Sequence, residues 1–207
     1  MAAAPPETEQ KIRDAHAEGR LKDAATLALV TYGNEILSFI ASRLRSPSGT
    51  QDAFSMFVED LWLGLPAFGW RCSMRTWAYA LARNAAVRYA SSAQRKSERP
   101  LDLDQLSEIS KVAERLRSTT DFYQRTEVKD RFRALREQLE PDDQMLLVLR
   151  VDRNLPWRDL ALAMTGDANL DDASIARESA RLRKAFERVK DQLRSLAERE
   201  GLLKARE

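Results

Sequence analysis

The chain has 207 residues, enough for one domain or two small ones, and 43% of them are hydrophobic. Its 34 basic and 32 acidic side chains leave a formal net charge of +2, so affinity for a polyanion must come from local patches rather than a global field. One Cys and one His exclude an internal disulfide and a Cys/His metal cage.

Only 7 Gly and 7 Pro, with few β-branched runs, predict an all-α architecture. Met1 to Pro6 lacks a basic n-region and a long apolar core, so it does not read as a signal peptide. No stretch is expected to reach the roughly 18 to 20 apolar residues of a membrane span, and a cytoplasmic protein is expected. Residues 1–20 read as a tail, with His16 in a charged, helix-like stretch and expected to be solvated. A first helix is predicted over Leu21 to Leu44, with Leu29, Tyr32, Ile36, Phe39, Ile40 and Leu44 on its apolar face. Ser46-Pro47-Ser48-Gly49 reads as a break, and Asp52 as the N-cap of a second helix, Ala53 to Leu65. That helix is apolar nearly all round, which implies an outside partner or unusually complete packing.

Pro66 to Tyr89 carries the most information. A short turn with Phe68 and Trp70 around Gly69 leads into a helix, with Cys72 a small filler in the loop. Met74, Trp77, Ala78, Leu81, Ala82 and Ala85 follow the spacing of a buried stripe. Arg75, Tyr79 and Arg83 fall on another face, with Asn84 and Arg88 beside them. From Trp70 to Lys96 there are six basic residues and no acidic one. Outward arginines beside an aromatic loop suit a nucleic-acid backbone with unstacked bases.

Ser97 to about Arg125 reads as an inter-domain linker, with a short helix expected from Gln105 to Leu116. Phe132, Leu135 and Leu139 then mark a helix ended at Glu140-Pro141, and Asp142 to Val151 forms another. Leu155 to Ala161 opens a third, with Pro156 near its first turn; Gly166 ends it. Asp171-Asp172 caps a fourth helix whose seam is Ile175, Leu182, Phe186, Val189, Leu193 and Leu196. Arg177, Arg181, Lys184 and Arg188 form a basic stripe on roughly the opposite side. A short helix, a break and a basic helix on an apolar seam is a helix-turn-helix pattern.

Leu65-Pro66-x-Phe68, a short loop, then Ser73-Met74-Arg75-Thr76-Trp77-Ala78-Tyr79-Ala80-Leu81-Ala82-Arg83-Asn84 resembles the second conserved region of bacterial sigma factors, best the extracytoplasmic-function group. Leu155-Pro156-Trp157-Arg158-Asp159-Leu160-Ala161 is similar in type to the run that precedes the recognition helix in the fourth region. The turn from Gly166 to Asp172 is longer than the family's, and the usual Gly-Thr-Val-Lys-Ser start of the recognition helix is absent. The resemblance covers roughly residues 22–96 and 128–197. It implies two small helical domains joined by a flexible linker. The limits are a tail at 1–20, a region 2 domain at 21–96, a linker at 97–127, a region 4 helix-turn-helix domain at 128–200 and a tail at 201–207.

By the same resemblance, the first domain binds core RNA polymerase and reads and melts the −10 element, and the last reads the −35 element as duplex. Residues carried over for −10 DNA are Phe68, Trp70, Arg71, Ser73, Arg75, Thr76, Tyr79, Arg83, Asn84 and Arg88. For −35 DNA they are Ser174, Arg177, Glu178, Arg181, Lys184 and Arg188. Asp52, Phe57, Glu59, Asp60 and Trp62 are expected to meet the polymerase, although Phe54, Ser55 and Val58 replace the family's Glu, Asp and Gln in this helix. Promoter DNA and core polymerase are the expected partners, with an anti-sigma factor as inhibitor. No cofactor, metal or catalytic residue is expected, and none of the chain's motifs reads as an enzyme's. The alternative reading is a stand-alone helix-turn-helix regulator whose first domain is a protein-interaction module.

Overall fold

The computed structural model describes residues 6–44, 46–92, 111, 112, 114, 115 and 134–202. Every regular element among the described residues is helical. The chain divides into two compact units, Met1–Asp121 with Leu162–Asn169, and Phe122–Ala161 with Leu170–Glu207. The predicted linker and most of its Gln105 to Leu116 helix lie outside the described residues, although 111, 112, 114 and 115 are helical.

The first unit is built on α1 (Pro6–Ala17), α2 (Leu21–Leu44), α3 (Pro47–Gly64) and α4 (Met74–Ser92). α2 packs against the other three. Leu29, Ile36, Phe39 and Ile40 of α2, Phe54, Phe57 and Leu61 of α3, and Met74, Tyr79 and Ala82 of α4 are all but fully buried. Taken alone, α2 is long and apolar enough to cross a membrane, contrary to the sequence expectation, yet 61% of its most apolar window is buried in the fold. It also carries a buried acid, Glu35, which an ion pair serves and lipid would penalise.

α3 begins at Pro47, nearly two turns before the predicted Ala53. Ser46, not Asp52, is the N-cap: its hydroxyl accepts from the Gly49 amide at 3.2 Å, and Pro47 occupies the first turn, where its missing N–H costs nothing. The apolar surround of α3 is met inside the unit, since α2 and α4 both pack on it. Two glycines bring α4 close. A Cβ on Gly49 would lie 2.7 Å from the Tyr89 ring, and one on Gly64 would lie 2.9 Å from Trp77. With Gly49 near the start of α3 facing the end of α4, and Gly64 at its end facing the start, the two helices run antiparallel.

The tail expected over residues 1–20 contains α1, whose Ile12 and Ala15 are buried. Gly19, at φ +74, makes the turn into α2 that an L side chain would strain.

The second unit contains α5 (Pro141–Leu147), which runs on into a π-helical turn (Val148–Asp152), the start of α6 (Trp157–Thr165), and α7 (Asp172–Arg199). The helix expected over Asp142 to Val151 is present with its last turn widened to a π turn, and Asn154 follows at φ 53, a conformation asparagine tolerates. Ile175, Leu182, Val189 and Leu196 of α7 are buried at intervals of seven, the narrow seam of a helix packing along its length. Asp171 caps α7 as predicted, accepting from the Ser174 amide at 2.8 Å, and Gly166 ends α6 at φ +73.

Candidate nucleic-acid interface

The turn before α4 places three aromatic rings in a row. Phe68 stacks on Trp77 with centroids 4.3 Å apart and planes 10° apart, and Trp70 lies 4.8 Å beyond Phe68. Trp77 and Phe68 are buried, anchoring the row in the core, while Trp70 is half-exposed at its outer end. Trp70 adopts φ 55, a left-handed conformation rare for a bulky residue. Arg71 follows it on the surface, its guanidinium donating to the Asn169 carbonyl at 2.9 Å within the same unit.

The first turn of α4 explains several residues expected to touch DNA. Ser73 Oγ accepts from the Thr76 amide at 3.0 Å and lies 2.9 Å from Thr76 Oγ1, so the Ser-x-x-Thr spacing serves as a helix cap. Thr76 is buried. Arg75 does not face solvent: its guanidinium forks onto Glu35 of α2, at 2.7 Å and 3.2 Å. Burial works against the Arg75 charge, but the Glu35 hydrogen bond and field outweigh it and raise its affinity for the proton. Tyr79, placed on the outward face by periodicity, is fully buried against Phe39, with ring centroids 5.3 Å apart. The physical reason is composition. Ala78, Ala80, Ala82, Ala85 and Ala86 let neighbours close on α4 from several sides, so one polar stripe does not stay wet. Arg83 and Asn84 are half-buried, and the Asn84 amide donates to the Gly166 carbonyl at 2.9 Å within the unit. Arg88 is exposed and ion-paired with Asp60.

The residues expected to meet a polymerase separate in the same way. Phe57 is core, 1% exposed, and Asp60 is engaged by Arg88. Asp52 is exposed, while Glu59 and Trp62 are half-exposed, and Leu63 adds an apolar side chain that is 63% exposed.

In the second unit, Trp157 ties the start of α6 to α7. Arg150 and Arg183 lie over its ring at 4.7 Å and 5.4 Å, Phe186 meets it edge-on, and its carbonyl accepts from the buried Ser179 hydroxyl at 3.1 Å. The predicted stripe of Arg177, Arg181, Lys184 and Arg188 is exposed. Part of its charge is matched locally. Arg181 pairs with Glu178 at 2.6 Å and Arg188 with Asp143 at 3.0 Å, both as surface pairs of small worth. Arg177 donates to Ser174 Oγ at 3.0 Å, and Ser174 in turn donates to Asp171, so Ser174 belongs to the cap.

Sequence reading missed two contributors from α1. Glu9 accepts from the Met74 amide at the start of α4 and, at 2.5 Å, from the Tyr32 hydroxyl. Burial first, then Glu9, pushes the Tyr32 phenol well above its ordinary range, so it stays protonated as the donor. His16, expected to be solvated, bridges the Leu65 carbonyl and the Trp70 indole. A signal was present: Pro6 opening a helix, acids in its first turn, and Glu9, Ile12 and His16 on one face. Comparison of the chain with family models, with curated proteins and with solved structures finds no match to any of them.

Proposed function

We propose that the chain is an alternative sigma factor of the extracytoplasmic-function type, binding core RNA polymerase and directing it to promoters without catalysing a reaction itself. In this reading α2 to α4 form the region 2 domain and α5 to α7 belong to the region 4 domain. The observation that carries the proposal is the aromatic row ending at the half-exposed Trp70, followed by Arg71, in a stretch of chain with no acid from Trp70 to Lys96. Stacked aromatics beside arginine are what an extruded base and its phosphate require. The exposed edge of α3, with Asp52, Glu59, Trp62 and Leu63, is the polymerase-facing surface, and Arg177 and Lys184 of α7 approach −35 duplex. The protein works in the cytoplasm, and an anti-sigma factor competes for the α3 surface. Run-off transcription with core polymerase and mapped start sites is the test. Failure to bind core enzyme or to initiate at any genomic promoter refutes the reading. Unaided binding to a duplex operator, with no need for polymerase, favours instead a stand-alone helix-turn-helix regulator acting through the α7 stripe.

A further inference from the structure

The loop that carries Trp70 is fastened at both ends by the N-terminal helix. At one end Glu9 of α1 receives the Met74 amide, and at the other His16 holds Trp70. The chemistry of that second contact is specific. Indole Nε1–H can only donate, so His16 Nδ1, at 3.1 Å, must accept. The Leu65 carbonyl can only accept, so His16 Nε2, at 2.8 Å, must donate. Only the neutral imidazole with its proton on Nε2 meets both demands.

Trp70 needs such a fastening. Its φ of 55 stores strain of the kind that persists only where the surroundings fix it. Three groups from elsewhere surround the ring: His16 edge-on at 5.7 Å, Arg13 over its face at 5.5 Å, and Phe68 at 4.8 Å. Two of the three lie on α1, one turn apart. We propose that His16 is a positioning residue for Trp70. It sets the angle at which the outer end of the aromatic row meets an unstacked base, and makes α1 part of the promoter-opening site. The proposal rests on the sigma reading above and adds to it a residue outside the resembling region.

The single histidine of the chain makes the test clean. Long-range proton–nitrogen NMR of the full chain should show one imidazole with its proton on Nε2 and a hydrogen-bonded Nδ1. Trp70→Phe keeps an aromatic ring but removes the donor, and should move the Nδ1 signal toward that of an unbonded acceptor. An Nδ1 signal unchanged in Trp70→Phe overturns the contact. For function, permanganate reactivity of promoter thymines is measured with core polymerase, beside polymerase binding and the thermal midpoint. His16→Leu should cut duplex opening about three- to tenfold with polymerase binding intact, the scale of one net hydrogen bond. His16→Gln, whose amide offers an NH2 group to donate and a carbonyl to accept, should recover opening to within about twofold of wild type. Equal losses in the two variants that track lost stability would reduce His16 to a structural residue and overturn the proposal. Wild-type opening in His16→Leu would do the same. If the wild-type chain opens no promoter, the sigma reading falls and the promoter role of His16 falls with it, while the imidazole spectra still decide whether His16 holds the loop.

Discussion

Replacing Arg75 with methionine removes a guanidinium that is 12% exposed and strands a Glu35 carboxylate that is 4% exposed. The attraction lost is about 4 kcal/mol for unit charges about 4 Å apart at an effective dielectric of about 20. Breaking a buried pair by deleting one partner costs about 3–5 kcal/mol, which agrees in size. The first unit lies between the sizes whose midpoints shift by about 4–8 °C and by about 2–4 °C per kcal/mol, so about 4 °C per kcal/mol and a fall of at least about 12 °C are expected. The first unit holds Trp62, Trp70 and Trp77 and the second holds Trp157, so a fluorescence melt weights the unit in question, with circular dichroism as the check on the whole chain. The double variant Glu35→Leu/Arg75→Met should regain most of the loss, because well-packed apolar replacements of a buried pair are often neutral or better. An Arg75→Met midpoint within about 4 °C of wild type would mean a cost under about 1 kcal/mol, and would refute the pair as the strut between α2 and α4.

Gly64→Ala should destabilise the first unit by about 1–3 kcal/mol in a denaturant titration, because its Cβ meets the buried, stacked Trp77 at 2.9 Å; a gain from helix propensity alone would show that Trp77 moves freely. Glu59→Arg should weaken binding to core polymerase in a competition assay, and unchanged affinity would put the contact on another face. Replacing Lys184 with Gln should shallow the salt dependence of promoter binding by about one charge, whereas replacing Arg188, already paired with Asp143, should shallow it less. Hydrogen bonds from the Ser174 hydroxyl and amide hold the Asp171 carboxyl below its ordinary value of 3.8. The stabilisation from this cap is therefore complete above that value and is lost as pH falls through the lower folded one. Amide protection factors at the start of α7, taken relative to the intrinsic exchange rate at each pH, should fall on such acidification, and Asp171→Asn, also a good cap, should remove the dependence.

Much of the fold is legible because its signals are local. The limits of α2, the Gly166 stop and the Asp171 cap each depend on residues within a turn or two of the feature. Ser46-Pro47 is equally local, but such a pair can end one helix or open another, and the structure makes it an opening. The site is less legible because its partners are distant in sequence. Nothing near Arg75 names Glu35, forty residues away, and nothing near Trp70 names His16. Periodicity separates wet from dry only when a helix has one packed face, and α4 has several.

Packing occupies α4 from several directions, and nine of its positions between Met74 and Ala86 are buried in the core. Such a helix can change little without loss of packing. In the loop before it, Gly69 has open space where a Cβ would stand. Under the proposed promoter role, a new sequence preference is reached at less cost at such an open loop position than on the packed helix behind it.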